Sequence, residues 1–257
     1  MRLAIITNYP ISQDRLGDYA YRLVKHFRQN ESISEIVLLT NDAFEKKGLF
    51  FKESGCKIQV KPCWVMNGLL NVFTINKAVK ETKPEAVLFD FKKSMFGDNK
   101  VGNGLGMALP FLCRLKNISN IVVWHEVYDE DQFKSVTKFF VRRLNKLMQL
   151  ADGIVVSKVS HEQLLKEKYN AKHITFVPQN INIPEDLKVS QLTKLNQIAN
   201  FGDIIEYRTT EELSRETKEL ISINKVVDVC MDMFQNIAKE KAYLYEKKVK
   251  KFILETS

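Results

Sequence analysis

The chain has 257 residues, 45% of them hydrophobic, and a net charge of +8. That is enough apolar material for one large or two small packed domains. Four widely spaced cysteines without a C-x-x-C pair argue against a zinc site or a secreted disulfide framework, and no apolar run reaches membrane-span length. These features predict a globular cytoplasmic protein, not inserted in a bilayer.

The charge is uneven. Residues 201–257 hold 10 Lys or Arg against 11 Asp or Glu, so the excess of +9 belongs to residues 1–200. It would attract an anion: nucleic acid, an anionic membrane surface or a phosphorylated small molecule.

In chain order, the first apolar run, residues 3–7, predicts a strand. Gly17 is expected in the loop before a helix over 18–28, whose Ala20, Leu23, Val24 and Phe27 recur at helical spacing. A glycine there lets backbone amides approach a phosphate or sugar, or simply makes a turn. Strands are expected at 35–40, 57–60 and 86–89. Gly102, Gly104 and Gly106 form G-x-G-x-G, but Met107 takes the final glycine's place and no strand directly precedes it. A flexible loop leading into a helix over 105–115, able to line a cleft, fits better than a dinucleotide fingerprint.

Residues 120–124 predict the next strand and His125 follows it directly, where it could orient a hydroxyl or shuttle a proton. His26, His161 and His173 fall within ordinary helix or strand patterns. Asp129, Glu130 and Asp131 read as first-turn carboxylates of a helix over 132–150 rather than as metal ligands. That helix should bury Phe133, Val136, Phe140, Val141, Leu144, Leu147 and Met148, leaving Lys134, Lys138, Arg142 and Lys146 on the opposite face. The cationic face is either solvated or a membrane-surface candidate. A strand at 153–156 closes on Ser157, Ser160 and Gln163 suggest a capping box, and residues 173–177 supply the last strand. Residues 185–200 read as a linker, followed by helices over 211–221 and 225–254.

About seven alternations of strand and helix predict an α/β fold: a Rossmann-like parallel sheet with helices on both faces, plus a carboxy-terminal helical tail.

The segments RLAIITNYP with Gly17 and YAYRLVKHF, NISNIVVWHEVY, and LADGIVVSKVSHEQLLKEKYNAKHITFVPQNINIP, taken in this order, resemble family 4 of the GT-B glycosyltransferases. The resemblance is continuous over residues 1–184. It implies the acceptor-side domain of an enzyme that moves a sugar from a nucleotide-sugar donor to a lipid, sugar or polymer, with retention, without metal or other cofactor. Gly17, the Gly102 to Gly106 loop, His125, Ser157 and Asn180 would line the acceptor- or phosphate-binding cleft, with His125 catalytic.

The chain departs from that family in places. Gln179, Asn180 and Asn182 stand where it commonly has Asn or His, Gly and Asp. FGDIIEY at 201–207 resembles a late segment of the donor domain, yet residues 185–200 leave no room for the diphosphate-binding Arg and Lys or the E-x7-E motif. Residues 201–257 therefore read as a mainly helical remnant of the donor domain. The implied protein is a shortened glycosyltransferase, or a noncatalytic or split-enzyme subunit with a companion transferase. Its expected partners are a nucleotide-sugar donor if a donor domain is supplied, a sugar or lipid acceptor and, peripherally, the anionic inner face of a membrane. Nucleic acid is not expected.

Overall fold

The structure is a computed structural model that describes residues 1–8, 15–42, 54–178 and 210–256. Its centre is a seven-stranded sheet: β1 (Arg2–Ile6), β2 (Glu35–Asn41), β3 (Lys57–Trp64), β4 (Ala86–Phe91), β5 (Ser119–Trp124), β6 (Gly153–Val156) and β7 (Ile174–Phe176). All pairings are parallel, in the order β3-β2-β1-β4-β5-β6-β7. The strand order reverses between β1 and β4, which opens a crevice at their carboxyl ends.

Seven helices accompany the sheet among the described residues: α1 (Arg15–Gln29), α2 (Asn71–Thr82), α3 (Lys100–Gly106), α4 (Leu109–Leu115), α5 (Ser135–Met148), α6 (Val159–Tyr169) and α7 (Thr210–Thr256). Because both sheet faces are covered, β2, β4 and β6 are apolar at nearly every position, whereas the edge strand β3, KIQVKPCW, alternates. Leu3, Ile5, Leu88, Ile121 and Val123 point to one face, against Leu23, Val24 and Phe27 of α1 and Ile223, Val227, Cys230 and Phe234 of α7. Ala4, Ile6, Val87, Phe89 and Val122 point to the other, against α2, α4, α5 and α6. The expected α/β architecture, with helices on both faces and a carboxy-terminal helix, is the one observed.

The structure redraws several local expectations. The two carboxy-terminal helices are one, α7, because no breaker interrupts the chain between them. Gly17 lies inside the first turn of α1, which begins at Arg15, not in a preceding loop. Gly102, Gly104 and Gly106 are helical residues of α3, not a flexible loop. Asn99 caps α3, its side chain accepting from the backbone amides of Val101 and Gly102. The glycines allow close packing: a Cβ at Gly102 would lie 3.0 Å from the carbonyl oxygen of Gly68, and one at Gly106 2.2 Å from the ring of Phe96. Helix α6 is preceded by Lys158 without a side-chain cap, so Ser160 lies within the helix and forms no capping box. It ends at Asn170, whose φ of 52° is the left-handed conformation that asparagine tolerates.

On α5, Val141 and Met148 are buried, but Val136 and Phe140 of the expected inward stripe are exposed at 72% and 60%. The periodicity is helical as expected. The first turns of the helix, however, leave their apolar residues exposed, while Val141 and Met148 further along it are buried.

Candidate functional site

The site is built where β1, β4 and β5 end. Thr7 follows β1, Asp90 lies near the end of β4, and His125 follows β5, held by its backbone amide donating to the carbonyl of Phe91 at 3.1 Å. Parallel register brings Phe91 beside Trp124, so Asp90 and His125 are neighbours across the sheet. The Thr7 hydroxyl donates to Asp90 Oδ2 at 2.7 Å, and Asp90 Oδ1 lies 2.6 Å from His125 Nε2. Thr7, Asp90 and His125 are all buried, the last two at 8% exposure. Tyr19 of α1 meets the imidazole edge-on, with ring centroids 5.0 Å apart.

A carboxylate among apolar strands survives only if its oxygens are hydrogen-bonded. Here both are, and the bond to Nε2 fixes the imidazole's rotation. A ring proton on Nε2 is donated to Asp90 in this arrangement.

Ser157 follows β6 and faces the same space. A cavity of about 10 Å³ is lined by Tyr19, His125, Ser157, Val177 and Ser222, among others. That volume holds one water or one hydroxyl group. The Ser157 hydroxyl is buried and has no hydrogen-bond partner among the described residues, whereas Ser222 of α7 donates to the carbonyl of Pro178 at 2.6 Å. The structure thus brings His125 and Ser157 together and adds Asp90 and Thr7, which sequence reasoning missed. The available signal was an aspartate within the otherwise apolar run AVLFDF at the end of a strand. Gly17 belongs to the first turn of the neighbouring α1, the glycines of α3 serve packing, and Asn180 lies outside the described residues, as do the 185–200 linker and FGDIIEY.

The loop after His125 is braced. Asp129 caps a single 3-10 turn, Glu130–Gln132, by accepting from the amide of Asp131. Lys168 of α6 pairs with Asp129 at 3.0 Å and also with Asp131. Hydrogen bonds from Lys138 and Lys168 hold the Asp131 carboxyl down at about 2. Below the turn, buried Asn145 donates to the carbonyl of Tyr128 at 2.8 Å and to the Tyr169 hydroxyl at 2.9 Å. The D-x-D carboxylates are therefore committed to capping and lysines. No group of three or more His, Cys, Asp or Glu side chains among the described residues could hold a metal ion.

A wider cleft, about 1030 Å³, lies at the opposite, amino edge between β5 to β7 and α7. There Lys241 spans the rim, donating to the carbonyl of Asn117 at 3.2 Å and to Ser119 Oγ at 3.1 Å, with Asp152 3.8 Å away. The chemistry points to the small cavity at the carboxyl edge, where an imidazole oriented by a buried carboxylate meets an unsatisfied hydroxyl.

No family model and no curated protein matches the sequence. Among solved structures, apo UGT2 of Phytolacca americana is similar at a TM-score of 0.43 and 13% identity, over 77% of this chain and 55% of that one. The chain thus spans about half the length of that protein. No described helix is long and apolar enough to cross a membrane.

Proposed function

We propose that the chain is the acceptor-side part of a glycosyltransferase of the GT-B type, similar to family 4, and that His125 handles a sugar or lipid hydroxyl at the carboxyl edge of the sheet. The Thr7, Asp90 and His125 series carries this reading. It is a hydrogen-bonded polar array buried at the crevice of a doubly wound sheet, the place where such sheets bind ligands. Asp90 positions the imidazole, which accepts a hydrogen bond from the acceptor hydroxyl or takes its proton as the new glycosidic bond forms and the donor's sugar–phosphate bond breaks. Ser157 offers a second polar contact to the same oxygen.

The donor nucleotide-sugar needs cations and amides to neutralise its diphosphate, and the sequence between residues 185 and 200 is too short to carry them. On this reading, residues 1–184 form the acceptor domain, and residues 201–257 derive from a donor domain even though α7 packs into the core of the acceptor-side sheet. Transfer then depends on a companion chain. Purified alone, the protein should bind UDP- or GDP-sugars no tighter than about 10 μM, roughly −7 kcal/mol, by calorimetric titration. Tighter binding would reveal a donor site in this chain. When transfer is reconstituted with a companion chain, His125→Ala should lower turnover by about 10²-fold or more at matched thermal stability. Unchanged turnover would return His125 to a structural role and favour the noncatalytic subunit.

A further inference from the structure

Residues 134–148 contain Lys134, Lys138, Arg142, Arg143 and Lys146 and no Asp or Glu. On the same helix Val136, Phe139 and Phe140 project into solvent at 72%, 55% and 60% exposure. Two phenylalanines and a valine exposed within two turns are unfavourable in water unless something covers them. The two rings pack edge to face with centroids 5.9 Å apart, and the Arg143 guanidinium lies 5.1 Å from the Phe139 ring centre. Apolar and cationic groups are therefore interleaved on one surface instead of segregated to opposite sides.

The apolar surface continues onto α3. Leu144, one turn beyond Phe140 on the same side of α5, would lie 3.1 Å from a Cβ at Gly104. Beside Gly104, Val101 and Leu105 are exposed at 61% and 40%. Both helices begin at the carboxyl edge of the sheet, the edge that carries His125.

We propose that this α5–α3 surface docks the protein on an anionic lipid bilayer, with Phe139, Phe140 and Val136 entering the interface and Arg142, Arg143 and Lys146 meeting lipid phosphates. Charge complementarity selects the occupant: among these exposed apolar groups the helix offers cations and no carboxylate. Its apolar groups project rather than form a groove, so they suit a deformable surface into which side chains can sink. Lys138 is already engaged by Asp131 at 2.7 Å, and Arg142 lies 4.0 Å from the Glu130 carboxylate, so both contribute less than Arg143 and Lys146. The proposal does not depend on sugar transfer. If the glycosyltransferase reading also holds, docking would set the His125 edge close to the membrane.

The test is co-sedimentation of the full chain with phosphatidylcholine vesicles, with and without about 30 mol% phosphatidylglycerol, at low and physiological salt. Parent protein should sediment with the anionic vesicles and remain in solution with the neutral ones. Phe139→Ser with Phe140→Ser should weaken binding by about tenfold or more. Arg143→Gln and Lys146→Gln should each cost about fivefold, and Arg142→Gln less. All five positions are exposed, and circular dichroism melts should remain close to the parent's. The single serine variants, each expected to give part of the loss, serve if the double variant melts early. Failure of the parent to bind anionic vesicles overturns the proposal, as does undiminished binding of the folded serine variants. So does a concentration-dependent dimer that the serine changes dissociate without any vesicle binding, since a second copy would then be the occupant.

Discussion

Asp90 is fixed from two sides, by the Thr7 hydroxyl and by His125 Nε2, and each partner removes one oxygen's need for water. Thr7→Val should therefore cost about 1–3 kcal/mol in urea unfolding, because it leaves a buried carboxylate oxygen unsatisfied. Asp90→Asn keeps the shape but loses the charge and one acceptor oxygen. It should reduce any reconstituted transfer alongside His125→Ala, beyond what its loss of stability explains. The glycines of α3 provide a second residue-level contrast. At Gly106 a Cβ would meet the fully buried Phe96 ring at 2.2 Å, so Gly106→Ala should cost about 1–3 kcal/mol by overpacking. At Gly104 the neighbour is the mobile end of Leu144 at 3.1 Å. Gly104→Ala should be neutral or stabilising by up to about 1 kcal/mol, as helix propensity offsets a small adjustment. If both variants melt alike, the close approach of α3 to Phe96 does not set its packing.

At the scale of elements, α7 belongs to the core of the sheet domain. Ile223, Val226, Val227, Cys230, Met231 and Phe234 share one cluster with β1, α1, β4 and β5. Phe234→Ala, at a position 3% exposed, should lower stability by about 3–5 kcal/mol in a single transition. A separate early transition would mean that α7 unfolds as an independent unit. The strands were readable because a doubly covered strand is a short uninterrupted apolar run bounded by polar residues. The burial of α5 was not: its period gives the helix, but which of its turns are covered depends on neighbours distant in sequence.

For the molecule as a whole, burial makes the alkaline limb of stability informative. Burial pushes the Cys63 and Cys113 thiols up to about 12, and burial, aided by Glu126 and Glu130 respectively, does the same to the Tyr128 and Tyr169 hydroxyls. All four are raised in the folded state. Their contribution is fully present below the unfolded values, about 8.5 for Cys and about 10 for Tyr, and is lost as pH rises towards 12. The melting temperature should hold between about pH 6 and 8 and fall above about 9. Cys63→Ala with Cys113→Ala should make that fall shallower. A slope identical to the parent's would mean that the two thiols ionise as readily folded as unfolded.

The sequence by itself determined the seven strands, their alternation with helices and the place of His125 at a strand's carboxyl end. These follow from local hydrophobic pattern and from the rule that parallel strands need covered faces. Only the tertiary structure decided what His125 touches. Asp90 lies 35 residues away and Thr7 83 residues from Asp90, and the strand order β1-β4-β5, which brings the three together, is a matter of long-range pairing that no local pattern records. The same holds for the α3 glycines and for Phe139 and Phe140. Residue type gave their chemistry, but whether each meets a ring, a helix or solvent was settled by the neighbours that folding supplied.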